Sequence, residues 1–370
     1  MNLENLHELI NRYTANYHIV NDSEHNEIFK WAAVKQFRNV WFSDDAKNLT
    51  FSQMFNAARK ESAVLIDNSQ VSPTNGIVKI AKKAPAEVEH LFRDVLFADE
   101  DDANKIQDNM DAFLDGIEQL REHYYPQSWK FKQDRHAASC YLAFYAPEKH
   151  FIYRYSEAEE FAKYIEFGRD IGSGENFSLS NYYELCNLVV SALKEHTDLI
   201  DAYKALIGGN DKYYFDKSLH LMAFDFMYCC RCYNFYTGLE HKAKRESIKE
   251  YKLEQLRVKE KNEYEEKLRS LEARIHDIEM QLDSYREISI LNVEVDYTGC
   301  GRGIVVAQEA NKITVRFSDC VKTFAINKKY PKRPTFEDDE EIVEAFTHYD
   351  DLERQLRSLD AELRRLKSNY

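Results

Sequence analysis

Two heptad seams enclose a segment of different period, and that arrangement constrains this chain more than any other feature of it. Tyr264, Leu268, Leu271, Ile275, Ile278, Leu282 and Tyr285 alternate steps of four and three without a miss. Leu352, Leu356, Leu359, Leu363 and Leu366 repeat the pattern at the C-terminal end. An apolar residue every three and a half positions makes a stripe that only another helix covers well, so each seam is the natural partner of the other. The first seam extends over roughly 30 Å at 1.5 Å per residue. Between the seams the period falls to two: Asn292 to Asp296 alternates, and Gly303 to Val306, Lys312 to Phe317 and Lys322 to Ile326 read as strands. Short strands this close together predict a small β-barrel or curled sheet, with both ends anchored on an antiparallel coiled-coil hairpin. A domain of that size has a thin core, and the anchoring helps to hold it together.

The rest of the chain reads as helix. Glycine (11) and proline (6) are scarce, while tyrosine (24) and phenylalanine (22) are abundant, which favours long helices around an aromatic core. Ile106, Met110, Phe113, Ile117 and Leu120 hold helical spacing, and Val88, Leu91, Phe92 and Val95 do so after Pro85. Further helices are predicted over 157–167, 181–206 and 217–237. Two aromatic-rich runs, Ser139 to Tyr145 and Phe151 to Tyr155, flank Ala146-Pro147-Glu148-Lys149-His150 and predict a β-hairpin near 139–155. The expected fold class is therefore mainly α with a small β component (α+β). Its parts are a helical domain over 1–238, a coiled-coil helix over 239–288, a small basic β-barrel over 289–336 and a returning coiled-coil helix over 337–370.

Charge and cysteine usage narrow the class. Charged residues make up 31% of the 370, and no apolar run approaches the ~20 residues that span a bilayer, so no membrane partner is expected. The opening Met1 to Tyr13 lacks the basic and apolar regions of a secretion signal and carries Leu6, Leu9, Ile10 and Tyr13 at helical spacing, which points to the cytoplasm. Seven cysteines, an odd number without framework spacing, read as reduced, buried residues. The net charge of −14 argues against a chain coated in nucleic acid from end to end.

Motifs of catalysis are missing or explained by structure. No GxxxxGK[ST] loop occurs, so NTP hydrolysis is not expected. Gly299, Gly301 and Gly303 precede a β run and belong in a tight turn, where glycine tolerates positive φ. Cys229, Cys230 and Cys232 crowd one helix without the pairing that zinc requires. Asp99 to Asp102 suits a helix N-terminus better than a cation. Arg12 and His18 have an Rx5H spacing that also arises by chance. No metal or other cofactor is expected, and a component without enzymatic activity is favoured.

Basic residues concentrate in the strand segment. Asn292 to Phe336 holds eight Lys/Arg against four acids, about +4 in a chain of −14. Arg302, Arg316, Lys322, Lys328, Lys329, Lys332 and Arg333 offer phosphate contacts, and Tyr330 offers a face for stacking on a base. Those residues are the candidate nucleic-acid site, with DNA or RNA as partner; a protein partner or a homodimer is the other expectation for the stalk and its tip.

Two resemblances add to this. Lys30 to Phe37 with Trp41 and Asp44, Cys140 to Lys149 running into Tyr153 to Ser156, and Lys212-Tyr213-Tyr214 with Leu219 to Leu221, Asp225 and Phe226 resemble the N-terminal regions of McrB-type restriction NTPases. The resemblance covers roughly 25–235. It implies target recognition in anti-phage defence without the AAA+ motor, and no catalytic residue carries over. Gly301 to Val305 and Val315 to Phe317 resemble SH3-like barrels of the Tudor and KOW kind, which implies contact with nucleic acid or polymerase. The leading expectation is a non-catalytic nucleic-acid or partner-binding component of a bacterial defence or DNA-transaction system. A nuclease or toxin with a dispersed site, and a pure protein–protein adaptor, remain the alternatives.

Overall fold

The computed structural model describes residues 1–286, 289–309, 312–325, 335–336 and 340–368. Two compact units divide between Leu253 and Glu254. The first contains α1 (Leu3–Val20), α2 (Phe29–Trp41), α3 (Phe51–Ile66), α4 (Pro73–Ala81), α5 (Pro85–His90), α6 (Ala103–Tyr124) and α7 (Arg135–Tyr145). It continues through α8 (Tyr155–Tyr164), α9 (Leu179–Glu195), α10 (Thr197–Ile207) and α11 (His220–Cys232) into the start of α12 (Lys244–Arg286). The second holds the rest of α12, then β1 (Glu294–Tyr297), β2 (Gly301–Glu309), β3 (Lys312–Phe317), β4 (Val321–Ala325), β5 (Thr335–Phe336) and α13 (Glu340–Ser368). Mainly α with minor β is thus the class of the chain.

Aromatic rings organise the first unit. Trp31, Phe37, Phe55, Phe92, Phe113, Tyr141 and Phe144 are fully buried. Phe92, just after α5, meets Phe113 edge-on at 4.9 Å between centroids, Tyr141 at 5.3 Å and Phe55 at 5.2 Å, so α3, α6 and α7 share one stack around it. Such pairs add to the area term of roughly 25 cal/mol per Å² that burial supplies. Local signals start the helices: Thr50 and Gln53 form a reciprocal capping box on α3, and Asp102 accepts from Asn104 and Lys105 at the start of α6.

The expected hairpin near 139–155 is absent. Asp134 caps α7 by accepting from the Ala137 amide at 2.8 Å, and the aromatic run Ala137 to Phe144 is buried all round the helix. An apolar run buried on every side has no period to read, which is why it passes for a strand. Phe151 to Arg154 is extended but pairs with no strand; the Tyr153 amide donates instead to Ser139 Oγ at 2.9 Å.

In the second unit, Leu271, Ile278 and Leu282 of α12 pack with Leu352 and Leu359 of α13. Lys367 Nζ reaches Glu272 Oε1 at 3.1 Å, so the end of α13 lies beside the middle of α12. The strands form one antiparallel sheet in the order β4-β3-β2-β1-β5. Val295, Val305, Ile313, Val315, Phe317 and Phe324 line its apolar face together with Ile290.

That sheet is open, and the expected SH3/Tudor-like barrel is not present. Closure requires the two end strands to pair along a staggered register. Among the described residues β5 contributes two, both paired to β1, and β4 pairs only with β3.

Candidate functional site

Of the predicted nucleic-acid residues, the three that are described divide between the two faces of the sheet. Arg302 pairs in register with Asp296 and Arg316 with Ile304, which puts both cations on the face turned away from the apolar core. Glu294 and Asp296 stand on that same face by strand alternation, so its charges balance. Lys322 lies opposite Val315, on the other face, with Nζ 5.0 Å from the centre of the Tyr297 ring. Lys328, Lys329, Tyr330, Lys332 and Arg333 lie outside the described residues. No closed barrel is present to offer DNA, RNA or a protein partner a barrel surface.

The first unit contains a better-built site. A cleft of about 560 Å³ opens where the N-terminal ends of α2, α4, α7 and α8 converge. Phe29 and Lys30, Pro73, Asp134 to His136, and Tyr155 and Ser156 line it from those ends. Phe177, Tyr153 and Tyr228 complete an aromatic wall. Helix N-termini present amide donors and a partial positive charge that suit an anion; Asp67 and Asp134, which also line the cleft beside the C-terminal end of α3, already accept from the first-turn amides of α4 and α7, which leaves the starts of α2 and α8.

Behind Lys30, which lines the cleft, lies a buried charge cluster. Lys30 is fully buried, with Nζ 2.5 Å from Asp225 and 2.5 Å from Glu27. Tyr13 donates to Asp225 at 2.5 Å, Tyr233 donates to Glu27 at 2.9 Å, and the Tyr228 ring lies 4.2 Å above the ammonium. Burial alone pushes the Lys30 ammonium down, but Asp225, with Glu27, outweighs it and holds the group above its ordinary range. Desolvation, and then the Asp225 charge, push the Tyr13 phenol up, so it stays a donor. The cluster binds α1, α2 and α11 to one another.

Arg154 stands at the rim in an unusual position. The Ala158 amide donates to its carbonyl at 3.0 Å, which makes it the N-cap of α8. N-caps are ordinarily Ser, Thr, Asp or Asn, which accept from the first-turn amides and suit the positive end. Arg154 does neither. Among the described residues the amides of Tyr155, Ser156 and Glu157 have no acceptor, and the two terminal guanidinium nitrogens make no hydrogen bond. Buried Glu157 lies 3.6 Å from Arg154 Nε and 3.3 Å from Arg231, steering the guanidinium from one side. Arg135, by contrast, donates from all three of its guanidinium nitrogens, to Asp111 and to the Gly174 carbonyl.

The other reactive groups near the cleft are committed elsewhere. Cys140 Sγ lies 3.8 Å from His136 Nδ1, a Cys–His approach. Yet Cys140 is fully buried, burial pushes its thiol well above the ordinary range, and the His136 nitrogens face the carbonyls of Tyr153 and Leu65. That thiol is not an activated nucleophile. Arg12 donates to Glu8 and to the carbonyls of Phe235 and Thr237, a structural role. Asp99 and Asp101 pair with Lys149, and no group of three or more metal-ligating side chains occurs among the described residues.

Comparison with protein-family models, with curated proteins and with solved structures returns no match to this chain. The resemblance to McrB-type N-terminal regions is therefore withdrawn, along with its restriction and antiviral implications. Its motif residues have their own explanation here: Trp31, Phe37, Tyr141 and Phe144 are core, and Lys30 and Asp225 form the buried pair. No helix among the described residues is long and apolar enough to cross a membrane.

Sequence reasoning missed Arg154 and Ser156 as site residues. Ser156-Glu157-Ala158-Glu159 has the form of a capping box, which would start the helix after Ser156. The helix instead begins at Tyr155 and leaves Ser156 inside its first turn, lining the cleft.

Proposed function

We propose that this protein is a non-catalytic binding component whose cleft in the helical unit holds a small, ring-bearing anion. The observation that carries this reading is Arg154 at the N-cap of α8, a cation where an acceptor belongs, above first-turn amides that lack one. An anionic oxygen seated there accepts from those amides and pairs with the guanidinium, supplying what the sequence omits. Tyr153, Tyr155, Phe177 and Tyr228 give a planar group surfaces to lie against, and the volume is that of a small-molecule site. Four buried, unpaired thiols support a cytoplasmic setting.

Titration calorimetry with nucleoside monophosphates, the matching nucleosides and inorganic phosphate tests this. A monophosphate is expected to bind saturably and more tightly than its nucleoside. Arg154→Ala is expected to weaken it at least tenfold, and the phosphoester should be recovered intact after incubation. Absence of saturable binding by every probe at millimolar concentration, or an Arg154→Ala variant that binds equally well, overturns the reading. Release of phosphate would instead favour an enzyme.

A further inference from the structure

Apart from exposed Cys232, the cysteines divide into two kinds. Cys140, Cys186, Cys229 and Cys230 are buried, and burial raises each thiol well above its ordinary range. Cys300 and Cys320 are half-exposed and face each other, Sγ to Sγ, at 3.5 Å. Antiparallel connectivity produces the meeting. Cys300 belongs to the turn joining β1 to β2, and Cys320 to the turn joining β3 to β4, so both turns fall at one end of the sheet. Each turn is closed by its own backbone bond, Cys300 N–H to the Tyr297 carbonyl at 3.0 Å and Phe317 N–H to the Cys320 carbonyl at 2.8 Å. Gly299 and Gly301 hold φ of +102° and +68° on either side of Cys300, conformations that other residues adopt at a cost. Gly299 and Gly301 thus serve to present a thiol, while Gly303, without positive φ, lies within β2 opposite Phe317 rather than in the turn.

We propose that Cys300 and Cys320 form a redox-active dithiol site that reacts with small-molecule disulfides and closes into an intramolecular disulfide. Two roles differ by environment. The Lys322 ammonium, and then the contact from the Cys320 thiol, draw the Cys300 thiol below the ordinary range, while that thiol contact raises Cys320. Cys300 is therefore the attacking sulfur and Cys320 the resolving one. In the first step Cys300 thiolate attacks one sulfur of a disulfide such as oxidised glutathione, forming a mixed disulfide and expelling one glutathione thiolate, which takes up a proton. In the second, Cys320 loses its proton to solvent and attacks Cys300 Sγ, expelling the second glutathione. Two protein thiols are oxidised to one disulfide and one glutathione disulfide is reduced to two thiols. Contact at 3.5 Å leaves only a small approach before the ~2.05 Å bond forms.

The full chain carrying Cys232→Ser, which removes the remaining exposed thiol, is incubated with oxidised glutathione and followed by intact mass and peptide mapping. The expected product is lighter by two hydrogens and yields one peptide pair linked through Cys300 and Cys320. Cys320→Ser should stop at glutathione on Cys300. Cys300→Ser should react at Cys320 at least tenfold more slowly than the parent reacts at Cys300, and Lys322→Gln should slow the parent severalfold. The proposal is overturned if the parent accumulates glutathione adducts without closing, or if the linked peptides never form. Equal rates for the two single-serine variants overturn the assignment of roles. Mapping of the parent alone decides the central point, even if a variant folds poorly.

Discussion

Replacing Lys30 with methionine tests the charge cluster under the cleft. The substitution keeps length and volume but leaves two carboxylates, Asp225 at 0% exposure and Glu27 at 7%, with no cation between them. Removing one partner of a buried pair costs about 3–5 kcal/mol, because the remaining charge stays desolvated. For a unit of about this size each kcal/mol moves the midpoint by roughly 2–4 °C, so a fall of about 6–20 °C is expected at pH 7. Scanning calorimetry measures it. Without the ammonium the carboxylates gain more from protonation in the folded state than in the unfolded one. The deficit of Lys30→Met should therefore shrink as pH falls from 7 towards 5. Adding Glu27→Gln and Asp225→Asn should recover much of the loss, since neutral amides tolerate the site. A deficit below ~1 kcal/mol, or a triple variant no better than the single, would show that the cluster is not held together by its charges.

Two further outcomes follow from the packing. Burial, then the nearby Lys149 charge, pull His150 down to about 4, so the folded state holds this ring neutral where the unfolded chain at its ordinary 6.5 would protonate. The stability tied to it is complete above pH 6.5 and is lost as pH falls towards 4, by roughly 3 kcal/mol, and His150→Gln should flatten that slope in urea titrations across the window. Leu271→Asp or Leu359→Asp places a charge in the seam between α12 and α13 and should cost about 3 kcal/mol, seen as a lowered midpoint in circular dichroism. A shift under 2 °C for both would mean that the seam contributes little.

Regular periods were legible and convergent sites were not. Leu271, Ile278, Leu282, Leu352 and Leu359 announced their packing because a stripe repeats along one helix. Met110, Phe113 and Ile117 did so for the same reason. The run from Ser139 to Phe144 misled because burial on all sides erases the period. The strands were visible in alternation, but whether a sheet closes depends on the length and pairing of its end strands, and β5 is only two residues long. The cleft draws on helix starts at 29, 73, 135 and 155, which no local window joins. Its best marker, an arginine directly before a helical run, is concealed by the capping-box form of Ser156 to Glu159, which points to a helix start two residues later.

An open sheet also has consequences for how copies of the chain behave at high concentration. Among the described residues the outer edge of β4 meets no further strand, and such an edge is a template for strand addition by another chain. Val321, at 59% exposure, makes that edge adhesive, and the neighbouring Lys322 is the charge that discourages pairing. A lysine that tunes a thiol thus also serves as a gatekeeper against aggregation, and neutralising it puts colloidal stability at risk together with thiol chemistry.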